Sequence, residues 1–234
     1  MTLVNLSRQQ GNQVSMLDLR PKVKLILQKN RTLAQSANDT YGTTIPVTAF
    51  ELSDEVEFAA YTRDQLARKT MPKMSKALRE RFLEAIDELF ANCSLHSKSK
   101  VKVYAAGQLF PNERRLLFTI SDGGVGIPVS LASSGIEFEQ DADAINWAME
   151  TGNTSRHGDI PGGLGLGLLK DFIGKNGGRL IFVSRGGYWE LEGKNVRKAR
   201  LGTAFPGTVA VLEIDTADTK SYSLAAPINP TDIW

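Results

Sequence analysis

Pro161-Gly-Gly-Leu-Gly-Leu-Gly-Leu-Leu169 is a glycine-rich stretch that leads directly into a helical pattern. The apolar residues of that pattern have helical spacing, and Gly177-Gly178 supplies a stop signal; they are Leu168, Leu169, Phe172 and Ile173. Glycines that open a helix let backbone N–H groups approach a ligand, and the helix N-terminus carries partial positive charge. The stretch therefore predicts a phosphate-binding loop, although glycine-rich loops also serve as hinges and as sites of close packing.

The composition is that of an ordinary globular protein. The chain has 234 residues, of which 41% are hydrophobic and 23% are charged, enough for a substantial core. A net charge of +2 gives no reason to expect a nucleic-acid partner. The single cysteine, Cys93, excludes an internal disulfide and a cysteine-rich metal site. With no signal-peptide pattern and no apolar run of transmembrane length, we expect a cytoplasmic protein that does not associate with a membrane.

Hydrophobic periodicity predicts an α+β fold, a two-layer α/β sandwich with a mixed, mostly antiparallel sheet. An N-terminal helical extension, residues 1–73, is predicted to hold a helix over 17–33 and a strand over 45–58. The strongest helix is predicted over 73–95, and shorter helices over 142–150 and 168–176. Strands are predicted over 101–105, 115–120, 179–184, 188–191 and 208–214. The remainder reads as a turn over 107–112, a loop over 151–163, a basic loop over 193–202 and a polar tail over 216–234.

Glu88 and Asn92 lie four residues apart on the long helix, beside its apolar stripe. Their side chains therefore project along one line. A carboxylate next to a carboxamide offers oxygen ligands for Mg²⁺ and a base that can orient water. As an isolated pair, an exposed Glu and a helix-end Asn are the better explanation of the pattern.

The second candidate segment, Ser121-Asp-Gly-Gly-Val-Gly-Ile-Pro128, follows an apolar strand. An acid at the end of a buried strand places a carboxylate acceptor at the floor of a pocket, where it can accept from an exocyclic amino group. The glycines would let a flat ring lie against the backbone. A strand-to-loop turn is the alternative, because Asp-Gly is common turn chemistry.

Together the three segments resemble the GHKL superfamily of gyrase-type topoisomerases, heat-shock chaperones, histidine kinases and MutL proteins. The resemblance rests on Glu88-Leu-Phe-Ala-Asn92 with His96-Ser97, on Asp122-Gly-Gly-Val-Gly126, and on Gly163-Leu-Gly-Leu-Gly-Leu168. Gly207-Thr208 resembles the late Gly-Thr of the adenine site. The resemblance covers residues 74–215 and implies a Bergerat-type ATP-binding fold.

The resemblance implies a role for each matching residue. Asn92 would ligate Mg²⁺, and Glu88 would be the catalytic residue that orients or deprotonates the attacking water. Asp122 would accept from adenine N6, helped by Thr208 through a water. The remaining ATP-binding residues would make room for the base or bring backbone donors to the phosphates; they are Gly124, Gly126, Ile127, Gly163, Leu164, Gly165, Leu166, Gly167 and Leu168. Residues 129–162 would form a lid over the nucleotide.

Two positions depart from the pattern of the superfamily. Many kinase members carry a Lys three residues after the Asn, where this chain has Leu95, so a phosphate contact is missing unless Arg156, His157 or Lys170 supplies it. Cys93 stands where a small Ala is usual, and we interpret it as a packing residue and not as a nucleophile.

The resemblance leaves the kind of GHKL protein open. Residues 1–73 offer no phosphoacceptor helix pair, and few residues follow the domain predicted over 74–215. The chain therefore resembles stand-alone regulators of the anti-sigma type, which phosphorylate Ser or Thr on STAS-like partners. Three functions remain: an ATP-dependent regulator or protein kinase with a protein partner, a plain Mg²⁺-ATPase, and a non-hydrolysing ATP/ADP sensor or detached histidine-kinase-like domain. The extension could pack on the domain or serve contacts in a homodimer or with a partner.

Overall fold

One layer of the fold is a five-stranded antiparallel sheet. The computed structural model describes residues 38–150 and 164–224. The five strands are β1 (Thr44–Phe50), β3 (Val103–Phe110), β4 (Arg115–Ser121), β5 (Arg179–Glu192) and β6 (Asn195–Asp215). Their order across the sheet is β1-β3-β4-β6-β5. On β4, Leu116, Phe118 and Ile120 are buried and alternate with half-buried residues, so one face of the sheet carries the core.

Helices cover the apolar face of the sheet. They are α1 (Glu55–Ala67), α2 (Lys76–His96), α3 (Ile127–Ala132), α4 (Asp141–Ala148) and α5 (Leu164–Asn176). The side chain of Ser75 caps α2 by accepting from the backbone N–H of Leu78 at 3.2 Å. Phe82 of α2 packs edge-to-face on Phe172 of α5, with ring centroids 5.1 Å apart. The predicted α+β two-layer sandwich is confirmed.

Two short strands form a second, separate sheet that is parallel. β2 (Lys73–Met74) pairs in parallel with β7 (Ser221–Tyr222), which lies in the segment predicted to be a polar tail. The ring of Tyr222 packs against Phe172 at a centroid distance of 5.2 Å. The prediction of a polar tail is therefore wrong for these residues. The segment contains no hydrophobic run that would predict a strand, and a single aromatic side chain packs it against the core.

The prediction of a single strand over 45–58 is also wrong. β1 ends at Phe50, and α1 follows it from Glu55. This helix buries only one narrow row, Phe58, Thr62 and Leu66, at a spacing of four residues. Such a row gives a weak helical period in the sequence. β1 and α1 nevertheless share the main hydrophobic core through Phe50 and Phe58. The predicted helix over 17–33 lies outside the described residues, and the domain boundaries at 73 and 215 stay predictions.

The predicted basic loop over 193–202 is a β-hairpin. β5 and β6 are separated only by Gly193 and Lys194, and Gly193 has φ 60°. The predicted turn over 107–112 likewise begins too early, because β3 continues to Phe110 before a 3₁₀ turn at Pro111–Glu113. Among the helices of the described residues, none has the length and apolar character needed to cross a membrane.

Candidate functional site

The candidate site lies beneath the helical layer, where β4 ends beside Thr208 in the interior of β6. Asp122 follows Ile120 by two residues, and Thr208 precedes Ala210 by two, so both side chains fall on the helix-covered face. The backbone N–H of Asp122 donates to the carbonyl of Thr208 at 3.0 Å. This bond brings two of the predicted adenine-binding residues to one end of the sheet.

Asp122 is a buried carboxylate. Only 3% of the residue is exposed. Its Oδ1 accepts from the backbone N–H of Gly124 at 2.8 Å, and its Oδ2 lies 3.7 Å from the Sγ of Cys93. Burial raises the pKa of Asp122 above its ordinary value, and the bonds from Gly124 and Cys93 oppose that rise. The backbone of Thr208 also contributes a hydrogen bond to this carboxylate.

Cys93 belongs to the wall of this site. Burial, and then the neighbouring Asp122 carboxylate, hold the pKa of its thiol well above the ordinary value. A thiol that stays protonated at neutral pH is a poor nucleophile. The environment of Cys93 therefore agrees with its interpretation as a packing residue.

The glycines after Asp122 have packing reasons of their own. A Cβ on Gly124 would lie 2.0 Å from the carbonyl oxygen of Ser97, because the turn runs against the end of α2. The backbone N–H of Val125 donates to the same carbonyl at 2.7 Å. Gly126 has φ 84°, which a side chain rarely permits. Close approach of backbone segments explains these residues independently of any ligand, and room for a base stays a prediction.

Glu88 contacts the first turn of α5. Its Oε2 accepts from the backbone N–H of Gly165 at 2.9 Å. A Cβ on Gly165 would lie 2.3 Å from that oxygen and 3.0 Å from the Cα of Ala85, so the glycine permits close packing of α5 on α2. The N–H groups of a first helical turn have no partner within the helix, and here a carboxylate satisfies one of them.

The predicted start of α5 at 168 is wrong, since the helix begins at Leu164. Gly165 and Gly167 are thus helical residues and not loop residues, while Gly163 lies outside the described residues. Leu166 is buried and Leu168 is half-buried in the core. The Nζ of Lys170 donates to the carbonyl of Met149 at 2.7 Å and joins α5 to the end of α4.

Asn92 lies one turn after Glu88 on α2 and is half-buried. The carboxylate and carboxamide oxygens of these two residues are of the kind that Mg²⁺ prefers, and Mg²⁺ usually takes its other ligands from waters and substrate phosphates. No group of three His, Cys, Asp or Glu side chains among the described residues could hold a metal alone. The donor set therefore fits Mg²⁺ only together with a phosphate ligand.

Leu95, at the position of the missing Lys, is 59% exposed, while His96 is partly buried. Arg156 and His157 lie outside the described residues, so of the three alternative phosphate contacts only Lys170 is described, and its ammonium group bonds a backbone carbonyl.

Sequence reasoning missed Ser184. This fully buried residue of β5 is the cross-strand neighbour of Thr208, and its Oγ lies 3.0 Å from the Oγ1 of Thr208. It also accepts from the backbone N–H of Ile127 at 2.8 Å, which ties the start of α3 to the sheet. A polar residue at the core position after Leu180 and Phe182 was the signal that could have revealed it.

The chain matches no known protein family and no curated protein. Among solved structures it is similar to the histidine kinase domain from Erythrobacter litoralis EL346 blue-light activated histidine kinase. The two chains are 18% identical, and the alignment covers 91% of this chain and 80% of that chain with a TM-score of 0.34. At this TM-score the similarity decides neither family nor function, so the function has to be inferred from the site itself.

Proposed function

We propose that this protein is a Mg²⁺-ATP-binding regulator of the GHKL type, an ATPase or Ser/Thr protein kinase that acts on a protein partner. The observation that carries the proposal is the convergence of three sequence motifs at one end of the sheet. Asp122 is bonded to Thr208, and Glu88 is bonded to the first turn of α5 through Gly165. The bond between Glu88 and Gly165 joins two of these motifs across 77 positions of the sequence.

The base end of the proposed site is the Asp122 carboxylate. It is buried, and it accepts from the N–H of Gly124 and from the thiol of Cys93. A desolvated acceptor of this kind recognises an amino group such as adenine N6, because leaving the carboxylate unpaired would be costly. Thr208 adds a second polar group beside it.

The phosphate end is the N-terminus of α5. First-turn N–H groups and the partial positive charge of a helix N-terminus favour anions. The Glu88 carboxylate occupies one of these donors, that of Gly165. A bound phosphate would compete for the same N–H and release Glu88 to act on water or on a substrate hydroxyl. Bound Mg²⁺ would neutralise phosphate charge, and Asn92 and the phosphate oxygens would hold it.

The lid proposed over 129–162 has an anchored part. The indole N–H of Trp189 donates to Asn146 of α4 at 3.0 Å, and Lys198 pairs with Asp143 at 2.7 Å. Ala142 and Ile145 are buried against the sheet. In the proposed mechanism α4 therefore stays docked, and closure over nucleotide belongs to the residues on either side of it.

A non-hydrolysing ATP/ADP sensor is the second candidate, and Leu95 favours it. An exposed leucine stands where kinase members carry a phosphate-contacting Lys, so one source of transition-state stabilisation is absent. A protein partner of the STAS-like type, which the resemblance suggests, would then respond to the nucleotide state and would not receive a phosphoryl group.

The decisive experiment is incubation with ATP labelled at the γ-phosphate, with and without a STAS-like partner, for the wild type and for Asp122→Asn. Label on the partner supports the kinase, released phosphate supports the ATPase, and retained label on bound nucleotide supports the sensor. Absence of nucleotide binding in the wild type would refute all three.

A further inference from the structure

Three contacts converge on the buried hydroxyl of Ser184, and they bear on which base the proposed nucleotide site selects. Ser184 Oγ accepts from the N–H of Ile127 at 2.8 Å, lies 3.1 Å from the carbonyl oxygen of Gly207, and lies 3.0 Å from Thr208 Oγ1. A carbonyl oxygen can only accept, so the contact with Gly207 requires the single proton of Ser184.

Counting protons fixes the direction of the remaining contact. Once Ser184 donates to Gly207, the bond to Thr208 exists only if the Thr208 hydroxyl is the donor. Ser184 then makes one donated and two accepted bonds, which is the full capacity of a hydroxyl. The Thr208 hydroxyl donates its only proton to Ser184, so toward a ligand it can act only as an acceptor.

The backbone donors around Asp122 are occupied as well. The N–H of Asp122 donates to Thr208, that of Gly124 to the Asp122 carboxylate, and that of Val125 to Ser97. With Ile127 bonded to Ser184, four amides between residues 122 and 127 already have acceptors. The base end of the site is consequently rich in acceptors and poor in donors.

We propose that Ser184 is a specificity-determining residue that holds the Thr208 proton away from the ligand, so that the site selects a purine with an amino group at C6 and rejects one with an oxo group there. Ser184 touches no ligand in this arrangement and acts by positioning Thr208. The inference rests on the proposed nucleotide binding and goes further, because it names the residue that sets the preference for the base.

The test compares the dissociation constants of ATP and inosine triphosphate, which carry the same phosphates and differ at C6. Calorimetric titrations use the full chain as wild type, Ser184→Ala, Ser184→Cys and Ser184→Thr, each checked for cooperative thermal unfolding. We expect the wild type to prefer ATP. In Ser184→Ala the Thr208 hydroxyl is free to donate to an oxo group, so the preference should fall about tenfold, the effect of one hydrogen bond.

The other two variants separate specificity from structure. A thiol is a weak acceptor, so Ser184→Cys should lose the preference as Ser184→Ala does and stands in for it if that variant does not fold. Ser184→Thr keeps a hydroxyl and should keep the wild-type preference. If Ser184→Ala or Ser184→Cys raised the dissociation constants of ATP and inosine triphosphate by the same factor, the proposed role of Ser184 would be overturned, while the nucleotide proposal would stand. A wild type that binds ATP and inosine triphosphate equally would do the same, and one that binds neither would overturn the nucleotide proposal too.

Discussion

At the scale of single residues, Asp122 is subject to opposite demands from stability and from binding. Burial raises its pKa, so the folded chain holds this proton more tightly than the unfolded chain. The free energy of unfolding therefore falls as the pH rises from the ordinary carboxyl range through the raised pKa. Above the raised pKa the carboxyl is ionised, and the whole loss of stability is present. The proposed recognition of an amino group by this carboxylate would account for a buried charge that lowers stability.

Asp122→Asn should bind ATP at least tenfold more weakly, because a charged acceptor worth about 1.5–3 kcal/mol is lost. The same variant should unfold with a higher free energy than the wild type at pH 7, since it removes the buried charge. That difference should vanish below the ordinary carboxyl pKa. Calorimetric titration and urea unfolding at several pH values measure both effects, and unchanged ATP affinity would refute the adenine assignment.

Glu88→Gln separates binding from chemistry. The glutamine oxygen can still accept from the N–H of Gly165, so fold and ATP affinity should persist. Loss of the base should lower turnover or phosphoryl transfer by roughly 10²–10⁴-fold, measured as phosphate release or label on the partner. Glu84→Gln is the matched control on the same helix, because Glu84 is exposed and pairs with Arg81 one turn away. Unchanged turnover in Glu88→Gln would move the role to Glu84 or Asp87.

At the scale of elements, the junction of α2 and α5 depends on the absence of a side chain at Gly165. Gly165→Ala would place a Cβ 2.3 Å from Glu88 Oε2 and 3.0 Å from the Cα of Ala85. Glu88 can turn aside, but the α2 backbone has to move. We expect about 1–3 kcal/mol of destabilisation from overpacking, although alanine favours helix by about 1 kcal/mol.

Gly202→Ala is the control for this change, because a Cβ there meets nothing within 4 Å. Urea unfolding of both variants gives the comparison, and ATP affinity should fall in Gly165→Ala alone. If Gly165→Ala were as stable as the wild type, the close packing of α5 on α2 would not be required.

Elements with a broad buried surface could be predicted from the sequence. Elements stabilised by strand pairing with little burial could not. α2 was predictable because its apolar stripe runs over several turns, including Phe82, Ile86 and Phe90. The N-terminal half of β6 is exposed although its partner β5 buries Trp189, so strand pairing and not burial stabilises basic residues such as Arg197. Its sequence therefore lacks the alternation of a half-buried strand.

The candidate site divides in the same way. Glu88, Asp122 and Thr208 could be found because each stands in a short motif. Ser184 stands in no such motif: its core position marks it as unusual, but its role comes from a cross-strand pairing with a residue 24 positions away. The bond between Glu88 and Gly165 likewise depends on how two helices pack, and no local pattern encodes that distance.

At the scale of the whole molecule, the sheet and α2 are a fixed reference against which ordering by a nucleotide can be measured. α4 is fixed to the hairpin by Trp189 and Lys198, and α5 is fixed to α4 through Lys170. Any response to nucleotide over 129–168 therefore has an internal reference in α4. A ligand can shift a conformational equilibrium only by its differential affinity for the two states.

Hydrogen exchange over residues 129–168 should report that response. Mg²⁺ with a non-hydrolysable ATP analogue should increase protection on both sides of α4 and in the first turn of α5, because phosphate oxygens would bond its N–H groups. Adenosine lacks those groups and should protect less, with ADP in between. α4 should be protected in every state, since Ala142, Ala144 and Ile145 are buried.

Ligand present at 100 times its dissociation constant should also raise the free energy of unfolding by about 2.7 kcal/mol, which thermal unfolding can check independently. If protection were equal without ligand and with adenosine, ADP or the ATP analogue, although calorimetry showed binding, the glycine-opened helix would not sense phosphate. The proposed regulator would then lose its switch while keeping its nucleotide site, and a response of the protein partner to the nucleotide state would need another origin.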